Sequence, residues 1–228
     1  MRYICILQVR TNSTRLPGKC FLPVADMALF ELCARRCMND FAEFWVATSD
    51  SKTDDLLEFH CNKKGLRCFR GDENNVVKRF ADLCSQRNIN DEDVVIRLTA
   101  DNPVVDHFFL ENMRNVWENH NLSYLSGQPA DIKKMKWPYG LSAEFFYAKF
   151  LYQANNAVID RYSTEHVTPY MKETTKEYVS MSDFMKFDFD INYNCSVDTL
   201  NDYLEISDIF KNKNWDTPYM ELIKEIQK

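Results

Sequence analysis

The sequence predicts an α/β fold built on a mostly parallel sheet flanked by helices. Apolar runs of strand length alternate with amphipathic helical segments over roughly the first 120 residues. The two clearest strands are the runs 3–9 and 93–99, each of which ends in a polar turn. In such a fold right-handed crossovers join the strands, and ligands bind where the carboxyl ends of the strands meet.

The remaining elements follow from the same periodicities. Strands are also predicted at 43–48, 67–69 and 141–147. Helices are predicted at 28–39, 53–64, 76–86, 107–119, 150–159, 165–173, 200–210 and 217–226. Gly65 is typical of a helix C-terminus, and 178–191 is expected to form edge strands or a hairpin. We interpret residues 1–228 as a single domain in which 127–191 is a small appended α+β subregion.

The composition excludes several classes of protein. Of the 228 residues 45% are hydrophobic and 27% charged, as in ordinary globular domains, and the net charge of −6 argues against a general nucleic-acid or anionic-membrane binder. Every apolar run is too short for a transmembrane helix or a signal peptide, so we expect a cytoplasmic protein. The eight cysteines form no Cys-x-x-Cys pair, and the four histidines have no ligand spacing. Reduced, buried thiols are therefore expected and a zinc site is not.

The first strand leads into a loop, residues 10–19, which we call the first loop. It carries three cations, Arg10, Arg15 and Lys19, together with hydroxyl groups and a Pro-Gly turn. At the carboxyl end of a parallel strand, these groups could bind several phosphate oxygens. The alternative is a solvated basic loop. The sequence contains neither G-x-G-x-x-G nor G-x-x-x-x-G-K-[ST], which argues against a dinucleotide-binding fold or a Walker-type ATPase.

Two aspartates follow predicted strands and have two interpretations. Asp101 comes after the strand at 93–99, and Asp198 follows Val197. Each could be the N-cap of the next helix. If both instead face the first loop, they are placed to bind Mg²⁺ on a triphosphate.

The first loop and the strand before it are similar to a known family pattern. Residues 8–19 resemble the sequence Q-A-R-x-x-S-T-R-L-P-G-K of cytidylyltransferases of the spore-coat polysaccharide type, relatives of the enzymes that make CMP-linked sialic and ketodeoxyoctonic acids. Further blocks agree in order at 46–50, 69–71, 94–106, 165–170 and 196–202. The resemblance therefore extends over nearly the whole chain.

The resemblance implies a nucleotide-diphospho-sugar transferase-like (Rossmann-like) fold and a single nucleotidyltransferase domain, with 127–191 as its acceptor and dimerisation subregion. CTP would lie over the first loop. A hydroxyl of a sugar acid or related small anionic acceptor would attack the α-phosphorus, and pyrophosphate would leave. The product would serve surface polysaccharide or glycoconjugate biosynthesis.

The resemblance also implies roles for individual residues. Arg10, Lys19 and Asp101 would be catalytic, and Asp101 and Asp198 would hold the Mg²⁺ cofactor. The implied nucleotide contacts are Gln8, Arg10, Ser13, Arg15, Gly18, Lys19, Thr48, Ser49, Asp50, Arg70, Gly71 and Arg97. Glu144 and His166 would contact the acceptor, although Glu144 could be an exposed strand residue and His166 could belong to a helix start.

The chain departs from the family pattern at several positions, and other functions stay open. Asn12 and Ala100 replace glycines, and Ser142 lies where the family has an acidic residue. Asn12 and Ser142 motivate a catalytically silent nucleotide-binding protein as one alternative. A nucleotide-sugar-dependent glycosyltransferase using the D-x-D tripeptide at 188–190 is another. The aromatic residues between 137 and 147 could form a homodimer surface or belong to the core.

Overall fold

A computed structural model describes residues 1–131, 137–157, 160–175, 178–187 and 193–225. The predicted D-x-D tripeptide at 188–190 lies outside these ranges. The described chain forms a six-stranded mixed sheet with helices on both faces and a separate two-stranded hairpin. No helix within these ranges is long and apolar enough to span a membrane.

The elements alternate as the sequence predicts through the first half of the chain. In order they are β1 (Tyr3–Gln8), β2 (Pro23–Val24), β3 (Met27–Ala28), α1 (Leu29–Cys37), β4 (Glu43–Ser49), α2 (Asp55–Lys64), β5 (Cys68–Gly71), α3 (Val76–Gln86), β6 (Val94–Thr99), α4 (His107–Asn119), β7 (Tyr124–Ser126), β8 (Glu144–Tyr147), α5 (Ala148–Asn156), α6 (Arg161–His166), α7 (Pro169–Thr175), α8 (Leu200–Phe210) and α9 (Tyr219–Glu225).

The strand order of the main sheet is β5-β4-β1-β6-β8-β7. The first four strands are parallel, whereas β8 runs antiparallel to both β6 and β7. The chain moves outward from β1 through β4 to β5 and then returns to place β6 on the other side of β1. The strand order therefore reverses between β1 and β6, which is where open α/β sheets bind ligands.

Burial of both faces explains why β1 is apolar from Tyr3 to Leu7. Cys5 and Leu7 face one core cluster, packed mainly under α1, α4, α8 and α9, whereas Ile4 and Ile6 face the other, packed under α3, α5 and α7. A central strand buried on both faces lacks the alternation of a half-exposed strand. All eight cysteines are free, and all but Cys68 are buried.

Several helix ends follow local sequence rules. Gly65 ends α2 in the left-handed conformation, as predicted. The Asn75 side chain accepts a hydrogen bond from the Lys78 amide at the start of α3. Thr199 and Asp202 form a capping box at the start of α8.

Other local predictions are wrong. The helix predicted at 165–173 is two helices, α6 and α7, because the backbone breaks at Val167. The strand predicted at 141–147 begins only at Glu144, since turn hydrogen bonds occupy the preceding residues. The β2–β3 hairpin and β7 were not predicted. Within 178–187 the structure has a bridge from Ser180 to Ser126 and a 3-10 turn at 181–183 in place of a hairpin.

The aromatic residues between 137 and 147 belong mainly to the core. Trp137, Phe145 and Phe146 are buried, and only Tyr139 is substantially exposed. The strand β8 joins residues 144–147 to the central sheet through its pairing with β6. A homodimer through 127–191 stays a prediction.

Candidate active site

A polar cleft of about 430 Å³ lies at the point where the strand order reverses. It opens over the carboxyl ends of β1 and β6, which lie side by side with Gln8 in register with Thr99. The first loop forms one wall, and the segment before β8 and the C-terminal end of α6 form the other. The polar side chains that line the cleft include Gln8, Arg10, Ser13, Arg15, Lys19, Arg97, Asp101, Tyr139, Ser142, Glu165, His166 and Asp198.

A buried carboxylate, Asp54, anchors the first loop to the sheet. One of its oxygens accepts hydrogen bonds from the Thr11 amide at 2.9 Å and the Thr11 hydroxyl at 2.6 Å. The other accepts from the Thr48 hydroxyl and from the amide and hydroxyl of Ser49. Burial raises the pKa of Asp54, but these hydrogen bonds outweigh burial and leave it below its ordinary value. Asp54 thus fixes the start of the first loop against β4.

The first loop then turns back so that Lys19 reaches the two predicted metal aspartates. Gly18 adopts a left-handed conformation, with φ of 72°, and its amide donates to the Thr11 carbonyl, which closes the loop. The Lys19 ammonium lies 2.8 Å from Asp101 Oδ2 and 3.0 Å from Asp198 Oδ1. It also donates to the Val197 carbonyl at 2.8 Å.

The carboxylates set the charge state of this cluster. Burial lowers the pKa of Lys19, but Asp101 and Asp198 outweigh that effect and raise it above the ordinary lysine value. The Val197 amide donates to the Asp101 carbonyl at 2.8 Å, which joins the two aspartate-bearing segments. Lys19 is therefore a cation held between two acids that are distant in sequence.

The structure decides between the two interpretations of these aspartates. The N-cap of α4 is Asp106, whose side chain accepts from the Phe109 amide, and the N-cap of α8 is Thr199. Neither Asp101 nor Asp198 caps a helix. Asp202 completes the capping box of Thr199 at α8, and its carboxylate also accepts from the Asp198 amide at 3.0 Å. The capping box therefore orients the segment that places Asp198 in the cleft.

The other two cations of the first loop are also paired with acids. Arg10 donates to Glu165 Oε1 at 2.7 Å, and Glu165 lies on the opposite wall of the cleft. Arg15 lies 2.8 Å from Asp198 Oδ1. All three cations of the first loop thus line the cleft and have carboxylate partners, which favours a role in the cleft over a merely solvated basic loop.

Arg97 and Glu144 form a buried ion pair on neighbouring strands. They are in register on β6 and β8, with 2.5 Å between Arg97 Nη1 and Glu144 Oε2. Arg97 also donates to the Gln8 side-chain oxygen at 3.2 Å. Glu144 is 6% exposed, so the alternative of an exposed strand residue is wrong. The antiparallel register gives Glu144 a cationic partner that local sequence does not reveal.

The Glu144 carboxylate has three further partners. Its Oε1 accepts from the Tyr124 hydroxyl at 2.6 Å and the Thr168 hydroxyl at 2.8 Å, and lies 3.1 Å from Lys172 Nζ. Burial raises the pKa of Glu144, but the attraction of Arg97 and Lys172 and the two hydrogen bonds lower it to about 2. Glu144 is therefore ionised at neutral pH.

His166 lies at the end of α6 and lines the cleft. Its ring lies against Tyr162, with 4.3 Å between the ring centroids. Burial and the nearby Arg97 guanidinium lower the pKa of His166. His166 is thus a neutral hydrogen-bonding group at physiological pH.

Several predicted site residues lie outside the cleft lining. Thr48 and Ser49 are buried and donate to Asp54, and Arg70 donates to the Ser49 and Ser51 carbonyls and pairs with Asp55 and Glu58. Gly71 packs against the Arg79 side chain, where a Cβ would lie 2.9 Å from Arg79 Cγ. The predicted residues that do not line the cleft are Gly18, Thr48, Ser49, Asp50, Arg70, Gly71 and Glu144.

Other residues near the cleft were missed by the sequence-based predictions. Asp54 follows Lys52-Thr53 and has the local pattern of an ordinary helix start, so nothing nearby indicates its contact with Thr11. Glu165 lies in a block that resembles the family, but only the fold shows that it faces Arg10. Tyr139 lines the cleft because its backbone pairs with Asn194, next to the segment that leads to Asp198.

The donor set at Asp101 and Asp198 fits Mg²⁺. Both carboxylates lie within 3.0 Å of the same ammonium group, so they already share one cation. Carboxylate oxygens are ligands that Mg²⁺ prefers. Within the described ranges, no group of three or more His, Cys, Asp or Glu side chains could hold a metal ion. A magnesium ion here would therefore take its other ligands from water and phosphate.

The comparisons with known proteins assign the chain to the nucleotidyltransferases. A solved structure of a cytidylyltransferase from Leptospira borgpetersenii serovar Hardjo-bovis superposes with a TM-score of 0.85 at 26% identity, covering 100% of this chain and 94% of that one. The chain belongs to the cytidylyltransferase family, whose family model matches residues 4–226. It is a CTP-dependent nucleotidyltransferase.

A sequence comparison agrees with this assignment, and a further solved structure agrees with the fold. The chain is 33% identical over 215 residues to the spore coat polysaccharide biosynthesis protein SpsF of Bacillus subtilis, covering 90% of this chain and 85% of SpsF. A CMP:2-keto-3-deoxy-manno-octonic acid synthetase solved with CTP superposes with a TM-score of 0.67 at 12% identity. That comparison covers 92% of this chain and 99% of the synthetase, and it shows the fold alone.

Proposed function

We propose that the protein transfers CMP from CTP to a hydroxyl of a sugar acid or related small anionic acceptor, releasing pyrophosphate, in surface polysaccharide or glycoconjugate biosynthesis. The central observation is the cluster of Lys19, Asp101 and Asp198, which lies over the carboxyl ends of β1 and β6. Membership of the cytidylyltransferase family supports CTP as the donor. The similarity to SpsF supports a role in polysaccharide synthesis. We place the reaction in the cytoplasm.

In this proposal the chain mainly positions the substrates and neutralises charge. Arg10, Arg15 and Lys19 bind the phosphate oxygens. Asp101 and Asp198 would hold Mg²⁺, which supplies charge neutralisation on the triphosphate when it is bound. The acceptor oxygen forms a bond to the α-phosphorus and its proton passes to solvent water, while the bond from that phosphorus to pyrophosphate breaks.

The acceptor would bind on the opposite wall of the cleft. His166 is neutral and lines that wall, so it would contact the acceptor through a hydrogen bond rather than as a cation. Ser142 also lines it and offers a hydroxyl in place of the acidic group of the family pattern. Glu144 is paired with Arg97 outside the lining, so its predicted direct contact with the acceptor is not part of this proposal.

Ligand binding tests the donor without knowledge of the acceptor. A thermal-shift panel would contain CTP, UTP, ATP, GTP and UDP-sugars, each with and without Mg²⁺. A ligand at about 100 times its dissociation constant adds about 2.7 kcal/mol of stability, worth roughly 5–10 °C in a chain of this size. We expect that shift for CTP with Mg²⁺. A preference for UDP-sugars would instead support the glycosyltransferase alternative.

Substitutions test the cluster itself. With an acceptor selected from a panel of sugar acids, Lys19→Met and Asp101→Asn should each lower pyrophosphate release roughly 100-fold or more. The matched controls are Lys78→Met and Asp82→Asn, which break a surface ion pair on α3 and should leave the rate unchanged. Full activity in both cluster variants would refute the proposed mechanism. CTP binding without turnover of any acceptor would support the catalytically silent alternative.

A further inference from the structure

The turn between α6 and α7 has an unusual backbone conformation. Val167 has φ of 67° and ψ of −57°, and the Thr168 amide donates to the His166 carbonyl at 2.7 Å. These values define a γ-turn, which is rare and strained, here at a buried β-branched residue. Such a conformation persists only where surrounding contacts enforce it.

Thr168 is the residue through which the surroundings hold this turn. Its hydroxyl donates to Glu144 Oε1 at 2.8 Å, and both side chains are buried. Its carbonyl accepts from the Lys172 amide at 3.0 Å, which begins α7. The Val167 side chain packs in the core cluster that also contains Phe146. Thr168 is thus fixed to the sheet on one side and to α7 on the other.

The residues that precede the turn are those that face the cleft. His166 lines the cleft, and Glu165 pairs with Arg10 of the first loop at 2.7 Å. A change in the backbone at Val167 would redirect both side chains. The contacts of Thr168 therefore affect the position of His166 and, through Glu165, that of the first loop. Thr168 itself does not line the cleft.

We propose that Thr168, held by the buried Glu144 carboxylate, is a positioning residue that fixes the turn presenting Glu165 and His166 to the cleft. Glu144 acts through Thr168 and does not contact the acceptor. Both of its oxygens are already occupied, Oε2 by Arg97 and Oε1 by Tyr124, Thr168 and Lys172. The inference rests on the proposed function only in taking His166 as an acceptor contact.

The experiment follows the titration of His166 by NMR in the full-length protein. The chain has four histidines, and His166→Asn identifies the resonance. Burial and the Arg97 guanidinium hold the pKa of His166 below its ordinary value. Lys172 adds to this lowering, whereas the Glu165 and Glu144 carboxylates oppose it. Thr168→Val removes the hydroxyl but keeps the shape of the side chain. We expect the His166 midpoint to rise toward the ordinary value of about 6.5, because the ring moves away from its site.

Two variants separate positioning from a general loss of stability. Thr168→Ser keeps the hydroxyl and should retain the wild-type midpoint. Tyr124→Phe removes a hydrogen bond to the same Glu144 oxygen but has no link to the turn, so it should also leave the midpoint unchanged. Thr168→Ala is the second test variant, should the valine methyl group fail to fit beside the carboxylate.

A wild-type His166 midpoint in the folded Thr168→Val and Thr168→Ala proteins would overturn the proposal. An equal shift in Tyr124→Phe would overturn it as well. Calorimetry of wild-type protein with CTP and Mg²⁺ is run separately. Absence of binding there would count against the proposed function and would leave the titration result standing.

Discussion

Replacing Glu144 with glutamine should destabilise the protein in a pH-dependent way. The pKa of Glu144 is about 2 in the folded state and about 4.3 in an unfolded chain. Each pKa unit corresponds to about 1.4 kcal/mol, which gives about 3 kcal/mol at neutral pH. Lys172 is 35% exposed, so solvent screens part of its attraction. We therefore expect a loss of about 2–3 kcal/mol.

The pH dependence has a definite sign. Because the folded-state pKa is depressed, the unfolded chain binds a proton first as the pH falls, and folding loses this contribution. The stabilisation is complete above about pH 5 and declines as the pH falls toward 2. The difference between wild type and Glu144→Gln should therefore be largest at pH 7 and should shrink below pH 4.

Urea unfolding followed by circular dichroism measures this difference. At neutral pH the melting temperature should also fall by roughly 4–12 °C. The matched control is Glu221→Gln, whose carboxylate is 53% exposed and pairs with Lys213 on the surface, and it should change stability by less than about 1 kcal/mol. Equal stability of Glu144→Gln and wild type at pH 7, or a difference that does not vary with pH, would refute the reasoning.

Two further predictions concern the walls of the cleft. Asp54→Asn should lower stability by about 2–3 kcal/mol, because a charged acceptor of several hydrogen bonds is lost. The rate of hydrogen exchange at the Thr11 amide should rise by more than the loss of global stability accounts for. An increase that matches the loss of global stability would contradict an anchoring role for Asp54. Gly140→Ala should cost more than about 2 kcal/mol, because φ is +87° and the new Cβ would lie 2.7 Å from the Ser196 amide. Its control is Gly65→Ala, where φ is +70° and no atom lies within 4 Å of the new Cβ, so only backbone strain of about 1 kcal/mol is expected. Equal losses of stability in the two variants would contradict a cost from the close contact at Gly140.

The fold and the convergence of the first loop with Asp101 could be predicted because they depend on local patterns. The apolar pattern and the turn residues that follow it define β1 and β6. Because these strands are parallel, their carboxyl ends lie at the same edge of the sheet. The partnership of Arg97 with Glu144 could not be predicted in this way. It depends on the antiparallel register of β8, which no local pattern specifies.

Two further features could not be predicted, for different physical reasons. The conformation of Val167 contradicts the preference of a β-branched residue, and tertiary contacts impose it. Local sequence therefore predicts a continuous helix where the chain turns. Asp54 has the sequence context of a helix start, whereas its hydrogen bonds go to Thr11 and β4. Local rules fail here at residues that shape the cleft.

The contacts of Lys19 have a consequence for how the cleft accepts charge. Its ammonium has three N–H donors, and its protein partners are three oxygens, of Asp101, Val197 and Asp198. An anion that binds Lys19 competes with these protein oxygens rather than with water alone. Where it displaces Asp101, that carboxylate loses its ion pair with Lys19. In the proposed function, a divalent cation would supply the missing charge. Anion and cation affinities are then linked, and each raises the other by the same factor. A metal–nucleotide complex would replace the ion pairs between Lys19 and the carboxylates with new ones, from phosphate to Lys19 and from the metal ion to the carboxylates. The nucleotide alone or the metal ion alone would break the existing ion pairs and replace only part of them.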